Sequence, residues 1–177
     1  ETWKQPNPIL SDNVWTKAEK QVVNEIFYGI PNVDELKERY SRKRVAVVGG
    51  GHSAINTILE LEKLEDVEIT WVLRKKRVEE AYGGEDKDAL AARGELGSRI
   101  HKLVDEGKVN VYTPFYIQEL KQTEDGIIIK GEGLNNEQQL PAVDEIIANT
   151  GSRPDFSFLQ EIRLSIDTAV ESVAALA

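Results

Sequence analysis

The stretch Arg44-Val45-Ala46-Val47-Val48-Gly49-Gly50-Gly51-His52-Ser53-Ala54-Ile55-Asn56-Thr57-Ile58-Leu59-Glu60-Leu61-Glu62-Lys63-Leu64 decides the fold. An apolar run rich in β-branched residues breaks at three glycines, and apolar residues then recur at three- and four-residue steps, the change from strand to amphipathic helix. Gly49, Gly51 and Ala54 fit G-x-G-x-x-G/A, the spacing of a dinucleotide-phosphate cradle. In it the first glycine permits the tight turn, the second lets backbone approach a pyrophosphate, and the third small residue lets helix and strand pack closely. Free N–H groups at the helix start face the phosphates.

After this stretch, Val67 to Leu73 is a second β-rich run, so strand, helix and strand make a β-α-β unit of about 30 residues. Asp88 to Glu106 reads as a second helix closed by Gly107, and Lys108 to Tyr112 as a third strand. From Phe115 the period changes. Phe115 to Lys121, Gly126 to Lys130 and Gln138 to Leu140 read as an antiparallel meander, with turns at 123–126 and 134–136. Asp144 to Gly151 is a final short strand ending in a glycine turn, followed by a Pro and a weakly amphipathic tail. Upstream, Thr16 to Tyr28 suits either helix or strand, 29–32 is a turn, and Asp34 to Tyr40 is short helix or loop. The expected architecture is α/β: a Rossmann-like three-layer domain with a central parallel sheet, helices and a three-stranded antiparallel meander.

Composition narrows the function classes. At 177 residues the chain is long enough for a real core in one domain. Lys plus Arg 22 against Asp plus Glu 31 gives a net charge of −9, which repels nucleic acid and anionic membrane. Absence of cysteine removes disulfides, thiolate metal sites and thiol nucleophiles, which fits the cytoplasm. No run approaches the roughly 20 apolar residues of a membrane span. The chain begins at Glu1 and holds no methionine, which suits either a piece of a longer product or a processed chain.

Several residues near the glycine loop carry candidate roles. Gly50 completes the loop. Ser53 suits either a phosphate oxygen or a helix cap, since both use the same exposed position. His52, without a carboxylate near it in sequence to orient it, is expected to face solvent beside the cofactor rather than to catalyse. Strand two runs out into Arg74-Lys75-Lys76-Arg77. An acid at that position accepts from a ribose 2′-hydroxyl, whereas an arginine accommodates a 2′-phosphate, so four consecutive cations favour NADPH over NADH. A solvated basic turn is the alternative. Trp71 is expected in the core. Arg93 and Arg99 suit a cofactor phosphate less well than a solvated helix face.

Taken with Asn149-Thr150-Gly151-Ser152-Arg153-Pro154-Asp155, these elements resemble the NADPH-binding domain of two-dinucleotide-domain flavoproteins. That group contains thioredoxin reductase-like enzymes, pyridine nucleotide-disulfide oxidoreductases and flavin-containing monooxygenases. The quoted segment is a variant of Ala-Thr-Gly-x-x-Pro-Asp, with Asn149 in place of the alanine. The resemblance implies that Gly49, Gly51, Ser53 and Ala54 meet the pyrophosphate, that Arg74 and Lys75 meet the 2′-phosphate, and that Thr150 and Gly151 line the crossing to a FAD domain.

The chain departs from that pattern in three ways. The FAD fingerprint and the C-terminal Gly-Asp segment of a whole flavoprotein are absent, and so is the Cys-x-x-Cys of thioredoxin reductases proper. Phe27-Tyr28-Gly29-Ile30-Pro31-Asn32-Val33 keeps the Phe and Gly of the monooxygenase Phe-x-Gly-x-x-x-His but ends in Val33.

The resemblance divides the chain into residues 1–40 leading from a missing flavin domain, 41–155 as the NAD(P)-binding domain, and 156–177 returning towards it. Trp3 and Trp15 then mark surface that the flavin domain would cover. The implied function is delivery of hydride from NADPH to flavin, with FAD in the parent protein, no metal and no catalytic residue here; the isolated chain is expected to be inactive. Partners are NADPH and the missing FAD domain, and a homodimer is compatible with these motifs. Two other readings stand beside it. One is a stand-alone NADP(H)-binding or sensor domain; the other is a small NADP-dependent dehydrogenase, for which only His52, His101 and the tyrosines offer a proton relay.

Overall fold

A computed structural model describes residues 4–10, 14–74, 91–134, 136–154, 166–167 and 172–173. Five parallel strands form the central sheet: β2 (Ile26–Tyr28), β3 (Arg44–Val48), β4 (Glu68–Val72), β5 (Val109–Tyr112) and β9 (Glu145–Ala148), in the order β2-β9-β3-β4-β5. A separate antiparallel sheet joins β6 (Tyr116–Thr123), β7 (Gly126–Glu132) and β8 (Glu137–Gln139). The α/β class, the parallel sheet and the meander are therefore as the sequence leads one to expect.

Alternation along the strands builds the layers, because successive side chains point to opposite faces of a sheet. Val45, Val47, Ile69, Trp71, Leu73 and Ile147 share one core with α3 (His52–Leu61) and α4 (Ala91–Asp105). Ala46, Val48, Val72, Ile146 and Ala148 share the other core with Leu120, Ile127 and Ile129 of the meander. A sheet buried on both faces explains why β3 reads as an unbroken apolar run.

Helix α3 buries Ala54, Ile55, Ile58, Leu59 and Leu61, the three- and four-step spacing of a single stripe. Each of the buried isoleucines and leucines contributes about 1.5–3 kcal/mol relative to exposure. The carbonyls of Leu103 and Val104 accept from Lys108 and Gly107, closing α4 at the expected glycine. Residues 88–90, expected as the start of that helix, lie outside the described residues.

Thr16 to Tyr28 divides between both expectations. It holds α1 (Lys17–Gln21), a 3₁₀ turn (Val23–Glu25) and β2, which pairs with β9 at the sheet edge. Residues 34–40 contain one helical turn, α2 (Lys37–Tyr40). Next to the central sheet, β1 (Lys4–Pro6) pairs antiparallel with β10 (Ser152–Pro154), forming a two-stranded ribbon. Two further strands, β11 (Ile166–Asp167) and β12 (Ser172–Val173), pair with each other. Among the described residues no helix is long and apolar enough to cross a membrane.

Candidate functional site

All five parallel strands present their C-terminal ends to one side of the sheet. From β3 the chain passes to β4 on one flank and returns to β9 on the other. The C-terminal ends of β3 and β9 thus bound a topological switch point, where open α/β sheets bind ligands. A crevice of about 640 Å³ opens there, lined by Gly49, Gly50, Gly51, Arg74, Asn149 and Thr150 together with residues 7–9 and apolar side chains of the sheet and meander.

Gly49 ends β3 with φ +141°, and a Cβ there would fall on the carbonyl of Asn149. Its N–H donates to Val72 and its carbonyl accepts from the Trp71 indole at 2.8 Å, so β4 holds the loop from below. Gly51 differs: its φ is −102° and a Cβ there would meet nothing within 4 Å. Nothing in the described protein requires glycine at 51. What the missing side chain leaves free is space beside the crevice.

Gly51 is the N-cap of α3, and no side chain caps the helix. Ser53 lies inside the first turn rather than at the cap position, and its carbonyl accepts from the Thr57 hydroxyl. No acidic residue occupies that turn, so its partial positive charge faces no local carboxylate. His52 is half-buried, not solvent-facing: its Nε2 is enclosed and without a hydrogen-bond partner among the described residues. Helical side chains lean back over the preceding turn, which at 52 is the glycine loop. Ala54 is fully buried between α3 and the sheet, as the third small residue of the motif requires. Trp71 is fully buried in the core, as expected.

Arg74, two residues beyond β4, is exposed and reaches the carbonyl of Ile9 in a long contact of 3.4 Å. Lys75 lies outside the described residues. On the other flank, Asn149 Nδ2 donates to the Gly29 carbonyl at 2.7 Å, while its Oδ1 is buried without a partner among the described residues. The Thr150 hydroxyl donates to the Asn7 carbonyl at 2.7 Å, and Asn7 Nδ2 donates back to the Thr150 carbonyl at 3.2 Å. Gly151, with φ +83°, accepts from the Asn7 N–H at 3.0 Å and leads into the ribbon. Thr150 and Gly151 therefore tie the N-terminal segment to the end of β9.

Sequence reasoning did not find the wall of the crevice at residues 7–9. That wall is held by Glu19, a fully buried carboxylate that accepts from the N–H groups of Ile9 at 2.7 Å and Leu10 at 3.1 Å and from the Tyr28 hydroxyl at 2.7 Å. Burial first, then the hydrogen bond to Glu19 and its charge, push the Tyr28 phenol well above its ordinary range, which keeps it a donor. A signal was present: Thr16-Lys17-Ala18-Glu19 has capping-box spacing, and the Thr16 hydroxyl does accept from the Glu19 N–H at 3.2 Å. The carboxylate, however, turns away from the cap to the distant loop.

A family described as pyridine nucleotide-disulphide oxidoreductase matches residues 26–174. The chain belongs to that family. A ferredoxin–NADP reductase of Bacillus licheniformis is 30% identical over 154 residues, covering 84% of this chain and 38% of that protein. The thioredoxin reductase of Lactococcus lactis superposes with a TM-score of 0.61 at 16% identity, over 90% of this chain and 46% of that one. The bacillithiol disulfide reductase of Bacillus cereus superposes with a TM-score of 0.56 at 21% identity, over 80% of this chain and 41% of that one. The chain thus spans less than half the length of each of these three proteins. The family's match begins at β2, ahead of residue 41.

Proposed function

We propose that this chain is the NADPH-binding domain of a FAD-dependent oxidoreductase, a part of a longer protein that delivers hydride from NADPH to flavin. The observation that carries the reading is the crevice at the switch point, with a glycine loop and an uncapped helix start on one strand end and Arg74 beyond the next. The residues fit the cofactor. Glycine at 51 answers no need of the protein itself, so a pyrophosphate approaching the backbone accounts for it.

In this arrangement Gly49, Gly50, Gly51, His52 and Ser53 hold the pyrophosphate, and Ala54 keeps α3 close enough to the sheet to aim its N–H groups. Arg74 and Lys75 hold the 2′-phosphate, which selects NADPH; the NADP in the name of the 30% identical relative supports that choice. Thr150 and Gly151 line the crossing to the FAD domain. When bound, NADPH supplies the hydride and FAD, in the rest of the parent protein, accepts it; this chain's part is binding and orientation. The β1–β10 ribbon supports a chain that enters and leaves side by side, as an inserted domain requires, while the pairing of β2 with β9 argues for a nucleotide-binding unit that starts ahead of residue 41.

The test is an NMR titration of the isotope-labelled chain with NADPH. Amide shifts concentrated at 49–53, 74 and 149–151 are expected; shifts elsewhere, or none, would remove the reading.

A further inference from the structure

Residues 7–10 have no regular secondary structure, yet residues 7–9 line the crevice together with the glycine loop. Their hold is lopsided. Asn7 is bound to Thr150 and Gly151, whereas Ile9 and Leu10 are bound by the two oxygens of Glu19. Burying a carboxylate is costly unless donors surround it. Here two backbone N–H groups and one phenol do so, and the bonds from Ile9 and Tyr28 are short, at 2.7 Å. The Ile9 residue whose N–H is fixed in this way offers its carbonyl to Arg74.

We infer that Glu19 is a positioning residue for nucleotide selectivity: by fixing Ile9 it sets the carbonyl against which the Arg74 guanidinium is held at the mouth of the crevice. The inference deepens the NADPH reading and rests on it. A carboxylate is needed because it offers two acceptor oxygens and no donor, while a carboxamide of the same shape turns a donor towards one of the three donors. Loss of Glu19 then loosens the grip on a 2′-phosphate, which NADH lacks, and leaves the pyrophosphate cradle intact.

Calorimetric titration of the full chain and of Glu19→Gln with NADPH and with NADH tests this. The substitution is expected to weaken NADPH binding about tenfold and NADH binding by less than about twofold. Equal losses for both nucleotides would make Glu19 merely structural and overturn the inference. A wild-type chain that binds NADPH selectively, with an unchanged ratio in the variant, overturns the inference but not the function. A wild-type chain without selectivity overturns both. If Glu19→Gln does not fold, Tyr28→Phe removes one donor and keeps the carboxylate; a roughly twofold fall in the NADPH:NADH ratio supports the inference, and an unchanged ratio overturns it.

Discussion

The indole Nε1 of Trp71 donates to the carbonyl of Gly49 at 2.8 Å, so a fully buried side chain of β4 fixes the turn that leaves β3. The bond links the core to the crevice, because Trp71 packs with α3 and α4 while Gly49 lines the opening. Trp71→Phe removes the donor and part of the volume. Denaturant unfolding is expected to show a loss of about 2–3 kcal/mol, and NADPH binding to weaken several-fold in protein that is still folded.

Gly49 and Gly51 are expected to separate stability from binding. Gly49→Ala places a methyl group on the Asn149 carbonyl at a φ that alanine avoids, so a loss of about 2–4 kcal/mol is expected in unfolding experiments. Gly51→Ala meets no protein atom and should shift stability by less than about 1 kcal/mol, while NADPH affinity falls more than about tenfold. Equal effects of the two substitutions on stability would refute this division.

The base of the sheet supplies a pH dependence. Asp144 accepts from Arg44 Nε and Nη2 and from the Arg44 N–H, and Arg44 Nη2 also reaches the Asp125 carbonyl at the turn between β6 and β7. The hydrogen bonds from Arg44 hold the Asp144 carboxyl below its ordinary value of 3.8. A depressed carboxylate stabilises the fold above its unfolded pKa, and that contribution disappears as pH falls through the folded one. The pair is partly exposed, so Asp144→Asn is expected to cost only about 1 kcal/mol at pH 7. In urea unfolding the difference from wild type should shrink below about pH 4; a difference that persists at pH 2 would contradict the assignment.

The sequence reveals what local periodicity encodes. The glycine loop, the helix after it, the β4 strand and the meander all follow from spacing within a few residues. Membership of β2 in the sheet is different: Ile26, Phe27 and Tyr28 are too few to show a period, and their partners are Ile146, Ile147 and Ala148. Glu19 escapes for the same reason. Its partners Ile9 and Leu10 offer backbone groups, which leave no mark on residue type. Asn149 marks a motif in sequence, but its bond to the Gly29 carbonyl exists only because β2 lies beside β9.

In the proposed function Arg74 gives this crevice a preference for the 2′-phosphate, which calorimetry on the purified chain can measure. Wild type is expected to bind NADPH more than about tenfold tighter than NADH, and Arg74→Ala to lose that preference while keeping its NADH affinity. Equal binding of the two nucleotides by wild type, or an unchanged NADPH affinity in Arg74→Ala, would contradict it.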